Sequence, residues 1–174
     1  MAEDDLLKGK RILAVDDEPD VLDTLEELLP MCHLVKATTA DEAMALFESQ
    51  RFDIAILDIM GVGGFELLEK TTAKGIPTVM LTAHALTPDV LKKSIQLGAV
   101  FFLPKETLPE LRFFLEELVK NKFIPSWMTF FEKLNIYLNK YFGPNWKEKD
   151  QFFREFEESI LKSENAKREE YPET

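Results

Sequence analysis

Five times in the first 105 residues the chain enters a short β-tolerant run that stops at a polar or punctuating residue. RILAV (11–15) stops at Asp16, Asp17 and Glu18, and His33 to Ala37 at a Thr pair. IAIL (54–57), within FDIAILDIM, stops at Asp58. TVMLT (78–82) closes on Thr82, and Val100 to Leu103 ends at Pro104 and Lys105. Unbroken apolar runs this short are what strands buried on both faces of a parallel sheet require.

Helical patterns fill the intervals. Val21, Leu22, Leu25, Leu28 and Leu29 form a stripe over 21–29 that Pro19 suits at its start and Pro30 stops. Thr39 to Phe47 offers Ala43, Ala45, Leu46 and Phe47 for packing. FELLEK (65–70) follows the turn GVGG (61–64), and Gly75–Ile76–Pro77 punctuates the way to the fourth strand. Thr87–Pro88–Asp89 opens a helix closed by Gly98, and Leu108 to Val119 is amphipathic. Five strand–helix alternations with right-handed crossovers predict an α/β fold: a doubly wound, five-stranded parallel sheet covered on both faces.

Ligands of open α/β sheets bind at the carboxyl ends of the strands. Asp16, Asp17, Asp58, Thr82 and Lys105 stand there. Each has a plain alternative reading: helix N-terminal acids for the Asp pair, a loop Asp, a strand end, a surface lysine. Their joint arrival at successive strand ends favours a site. Clustered carboxylates are costly together unless a cation neutralises them, and oxygen ligands at one sheet edge suit Mg²⁺. A lysine and a hydroxyl nearby are what a phosphoryl group needs, so the set points to phosphoryl transfer onto a carboxylate.

Composition narrows the remaining classes. In a chain of 174 residues, 45% hydrophobic, no apolar run approaches the roughly 20 residues of a membrane span. The N-terminal MAEDDLLKGK carries acids and no apolar core, which argues against a secretory signal. Cys32 is the single cysteine, which fits a reducing, cytoplasmic setting; with only His33 and His84 besides, a His/Cys zinc site is excluded. The net charge of −11 repels nucleic-acid backbone.

The pieces ILAVDDEP (12–19), IAILDIM (54–60), FELL (65–68), VMLTA (79–83), GA (98–99) and FLPK (102–105) together resemble the receiver domain of two-component response regulators, the CheY-like fold. The resemblance covers roughly the first 120 residues. It implies strand order 2-1-3-4-5 and Asp58 as phospho-acceptor. It implies Mg²⁺ held by Asp16, Asp17, Asp58 and the backbone carbonyl of Met60, with Asp16 acting through water. It makes Lys105 and Thr82 phosphoryl-contacting, Thr82 and Phe102 the switch pair, and Met60 and His84 modulators of phosphoryl lifetime. A histidine kinase or histidine phosphotransfer protein would be the donor, and a protein the downstream target. Three features depart from the family's pattern: Glu106 stands where a proline commonly follows the lysine, the loop after Asp58 looks about two residues short, and Phe102 lacks a hydroxyl.

After residue 122 the pattern changes to two helical segments. The first, Trp127 to Phe142, carries Trp127, Phe130, Phe131, Leu134, Tyr137, Leu138 and Tyr141 at three- and four-residue steps. Gly143–Pro144 breaks it, and Asn145 with Glu148 forms a candidate capping box for the second, whose stripe is Trp146, Phe152, Phe153, Phe156 and Ile160. The organisation expected is a receiver domain over 1–122, an aromatic-rich helical extension over 123–163, and a polar, disordered tail over 164–174. Residues 121–174 hold 12 of the 19 aromatics; packing of the extension on the receiver's own helices is the favoured destiny, with a homodimer or partner interface as the alternative.

The function expected is a Mg²⁺-dependent phosphorylation switch, not an enzyme beyond its own phosphorylation and dephosphorylation, acting through protein–protein contact. The alternative is a pseudo-receiver serving as a constitutive interaction module. A phosphatase with an aspartyl nucleophile is disfavoured because Met60 occupies the place of its second acid.

Overall fold

The structure, a computed structural model, describes residues 5–83 and 87–170, the last four of these as backbone. Five strands, β1 (Arg11–Val15), β2 (His33–Ala37), β3 (Ile54–Asp58), β4 (Thr78–Thr82) and β5 (Phe101–Pro104), form one parallel sheet in the order β2-β1-β3-β4-β5. Every residue of β3, β4 and β5 is buried, so helices cover both faces, as unbroken apolar runs demand. Edge strand β2 is half-exposed, which fits its mixed sequence HLVKA.

The helices are α1 (Pro19–Leu28), α2 (Ala40–Ser49), α3 (Gly64–Ala73), α4 (Pro88–Gln96), α5 (Leu111–Lys120), α6 (Trp127–Phe142) and α7 (Gln151–Glu170). The Thr39 and Thr87 side chains accept the amides of Glu42 and Val90 and so cap α2 and α4. Pairing Ala55↔Thr78 through Asp58↔Leu81 and Val79↔Phe101 through Thr82↔Pro104 keeps the ends of β3, β4 and β5 level. That alignment brings the polar strand-end residues to one edge.

The expected helix over 108–119 divides in two. Lys105–Glu110 is a 3-10 turn, and α5 begins only at Leu111. Pro109 has no amide hydrogen to give an α-turn, and Thr107 leaves helical geometry at φ −100°, its hydroxyl donating to the Pro104 carbonyl at 2.7 Å.

Beyond α5 the extension packs on the receiver's own helices. The Phe130 ring lies 6.3 Å from Phe114 of α5, and Trp127 lies 5.0 Å from Phe130 and 6.0 Å from Phe156. Lys92 of α4 meets Asp150 at 2.8 Å, and Lys133 of α6 meets Glu110 at 3.4 Å while standing over the Phe113 ring. Trp127, Phe130, Phe131, Leu134, Leu138, Trp146 and Phe153 are buried, but Tyr137 and Tyr141 are not. The helical stripe outruns the surface it covers.

Two expectations for the extension need correction. Asn145 and Glu148 do not start α7: Asn145 adopts φ 60° in the turn, which Asn tolerates, and Asp150 accepts the amides of Phe152 and Phe153 instead. The stretch read as a disordered tail from 164 is helical to Glu170, carried by its Glu, Lys, Ala and Arg content.

Candidate functional site

Three carboxylates meet at the sheet's carboxyl edge. Asp16 follows β1, Asp17 is its neighbour, and Asp58 is the last residue of β3; one carboxylate oxygen of each lies within 4.8 Å of the others. Asp16 and Asp58 are buried, whereas Asp17 is exposed. Lys105 arrives from the end of β5, aimed by the 3-10 turn, with Nζ 2.8 Å from Asp16 Oδ2, 3.3 Å from Asp58 Oδ1 and 3.7 Å from Glu18 Oε2.

The carboxylates are oriented by backbone amides. Glu18 N–H donates to Asp16 Oδ1 at 2.9 Å, and Gly61 N–H donates to Asp58 Oδ2 at 3.1 Å. Asp16 Oδ2 is buried, and although the lysine ammonium is close, no donor reaches it in hydrogen-bonding alignment. Burial pushes the Asp16 carboxyl above the usual carboxylate range; the Lys105 ammonium and the Glu18 amide pull it back, and the Asp58 charge adds to the rise. Burial alone would depress Lys105, but the carboxylates of Asp16 and Asp58 outweigh it and hold the ammonium charged. A buried, under-coordinated acid oxygen within one cluster of oxygen ligands is the environment a hard divalent cation fits.

The glycines after Asp58 matter in a way the turn GVGG did not disclose. A Cβ on Gly61 would sit 2.2 Å from Asp17 Cγ, so the Asp17 carboxylate lies against bare backbone. A Cβ on Gly64 would sit 2.2 Å from the Asp58 carbonyl oxygen. At Gly64 the close approach to backbone demands glycine, whereas at Gly61 it is the Asp17 side chain that would have to give way.

The other expected residues fall as follows. Thr82 is buried at the end of β4. Phe102 is completely buried in β5; its neighbour Phe101 is the ring that meets Phe114, at 5.3 Å. Met60 is 65% exposed, its carbonyl accepting from Gly63 N–H at 3.4 Å. His84 lies outside the described residues. Glu18, Glu106 and Tyr141 were not expected at the site: the first reaches Lys105, and the other two share a cleft with Lys105 and Thr82. No local sequence signal marks Tyr141, which reaches the cleft from the extension.

The level parallel sheet, with order 2-1-3-4-5, thus carries an acid triad and a bridging lysine at one edge. Residues 12–113 match the model of the response regulator receiver domain, and the chain belongs to that family. Over 119 residues it is 38% identical to the two-component response regulator ARR18 of Arabidopsis thaliana, covering 64% of this chain and 19% of that one. It is 37% identical over 123 residues to ORR22 of Oryza sativa subsp. indica, covering 66% of this chain and 18% of the relative. The chain thus spans about a fifth of the length of these curated relatives. Among solved structures it resembles a CheY-like receiver domain protein of Methanospirillum hungatei (32% identity, TM-score 0.57, 67% of this chain and 94% of that one). It also resembles the chemotaxis response regulator CheY4 of Vibrio cholerae (26%, TM-score 0.55, 64% and 99%). Receiver domains are signalling modules. None of the described helices is long and apolar enough to cross a membrane.

Proposed function

We propose that Asp58 accepts a phosphoryl group from a histidine kinase or histidine phosphotransfer protein, and that the modified receiver signals by protein–protein contact. The observation that carries this reading is the lysine bridge: Lys105 Nζ stands 2.8 Å from Asp16 and 3.3 Å from Asp58 beside an acid oxygen with no aligned donor. The receiver is assigned to 1–122 and the aromatic extension to 123–163. The net charge of −11 supports a protein target over nucleic acid, and the lone Cys32 thiol a reducing, cytoplasmic setting.

Gly61 N–H holds Asp58 Oδ2 and so orients the carboxylate for in-line attack on phosphorus. The new bond joins a carboxylate oxygen to phosphorus; the donor's P–N bond breaks, and its imidazole keeps the electron pair and takes up a proton. Lys105 pairs with the phosphoryl oxygens, and the Thr82 hydroxyl is assigned as their hydrogen-bond donor. Asp16, Asp17, Asp58 and the Met60 carbonyl would hold Mg²⁺, which supplies charge neutralisation between the acids and the incoming phosphoryl group. Phe102 has only steric means of following Thr82, and Met60 and His84 are assigned to phosphoryl lifetime.

Incubation with a small phosphodonor and Mg²⁺, read by intact mass, should add one hydroxylamine-labile phosphate to the wild type and none to Asp58→Ala. Equal labelling of Asp58→Ala would overturn the assignment. No labelling of the wild type together with no Mg²⁺ affinity would make the chain a pseudo-receiver.

A further inference from the structure

Beside the acid cluster lies a cleft of about 230 Å³, bordered by Thr82, Ala83, Pro104, Lys105, Glu106 and Tyr141. Five of these come from the carboxyl ends of β4 and β5 and the turn that follows. The sixth comes from the last turn of α6, in the extension. Tyr141 continues the stripe of Leu134 and Leu138 past the edge of the core, so its ring, 43% exposed, has left the interior and borders this cleft. Glu106 borders the same cleft.

The position of Tyr141 is imposed by docking of the whole helix. Two turns earlier Lys133 is tied to Glu110 at 3.4 Å and lies 4.4 Å above the Phe113 ring, and Phe130 is buried against Phe114.

We propose that the end of α6 forms one wall of the phosphoryl site, with Tyr141 gating access from the Thr82–Lys105 side. The inference rests on the reading of Asp58 as phospho-acceptor. The ring screens two steps. One is entry of a small donor. The other is hydrolysis, in which a water oxygen attacks phosphorus, the Asp58 Oδ–P bond breaks with its electron pair returning to the carboxylate, and the proton leaves to solvent. Tyr141 touches neither reacting atom; it positions and screens.

The test follows phosphate uptake from a small phosphodonor with Mg²⁺, and its loss after donor removal, by intact mass on the full chain. Tyr141→Ala should speed both uptake and loss by about threefold or more, because a closing element that excludes water is removed. Its thermal midpoint should stay within about 3 °C of wild type, as expected for a partly exposed side chain. Tyr141→Phe keeps the ring and should leave both rates near wild type. Ile136→Ala, at an 82% exposed position of the same helix, should change nothing. Wild-type rates in Tyr141→Ala, or equal acceleration by Ile136→Ala, would overturn the gate. Acceleration by Tyr141→Phe equal to that by Tyr141→Ala would overturn the ring as the screening element. A wild type that takes no label refutes the acceptor reading instead, and the gate with it.

Discussion

Substituting alanine for Gly61 separates the metal site from the fold. The new Cβ would lie 2.2 Å from Asp17 Cγ and 2.3 Å from each carboxylate oxygen, so the carboxylate must retreat by more than about 1 Å to reach ordinary contact. Asp17 is exposed, and among the described residues no ion pair holds it, so it can swing toward solvent at little cost. Folding stability should therefore stay within about 0.5 kcal/mol of wild type. Mg²⁺ affinity should not. Disturbing the immediate support of a metal ligand typically costs about 10–100-fold, or roughly 1.4–2.8 kcal/mol.

Calorimetric Mg²⁺ titration and urea unfolding of the same two proteins give both numbers. Affinity within about twofold of wild type would show that Asp17 is no ligand and that its packing on Gly61 is incidental. Gly64→Ala is the counterpart. Its Cβ meets the Asp58 carbonyl oxygen at 2.2 Å and Ile59 Cα at 2.8 Å, and backbone cannot swing aside. That variant should lose about 1–3 kcal/mol of stability and Mg²⁺ affinity together.

Phe130→Ala removes a ring that is 1% exposed and packed against Phe114, Trp127 and Phe131, and should cost about 3–5 kcal/mol in urea unfolding. A separate early transition that leaves the receiver unaffected would show that the extension is not part of the same cooperative core. Asp150 supplies the pH dependence. The Lys92 ammonium at 2.8 Å, helped by the Phe152 and Phe153 amides, holds its carboxyl below the usual range. A depressed folded pKa gives stability that is fully present above the ordinary Asp value of about 3.9 and is lost as pH falls through the folded value. Emission from Trp146, which packs on Phe153 at 4.8 Å, should therefore report loosening of α7 only at acid pH, and Asp150→Asn should weaken the docking already at neutral pH. Identical acid profiles for the two proteins would refute the role of the pair.

Strands and acid cluster could be read from the sequence because both are local signals. A buried parallel strand must be an apolar run, and its end must be the next polar residue, so Asp16, Asp58, Thr82 and Lys105 mark the carboxyl edge before any pairing is known. The glycines were visible only as a turn, since the need at Gly61 arises from Asp17, 44 positions earlier in the chain. The start of α7 was missed because Asn145 and Asp150 are equally good cap residues, and only the left-handed turn at Asn145 excludes the first. Periodicity likewise gave the face of α6 but not where the receiver surface beneath it ends. Leu138 is buried and Tyr141, one turn on, is not. That overhang brings the extension to the cleft of Thr82 and Lys105. A hairpin held by Phe130, Lys133 and Asp150 thus has a second contact at the cleft beside Lys105. Coupling between two such contacts is reciprocal: whatever a phosphoryl group at Asp58 does to the docking of α6, the docking of α6 must do to the phosphoryl group.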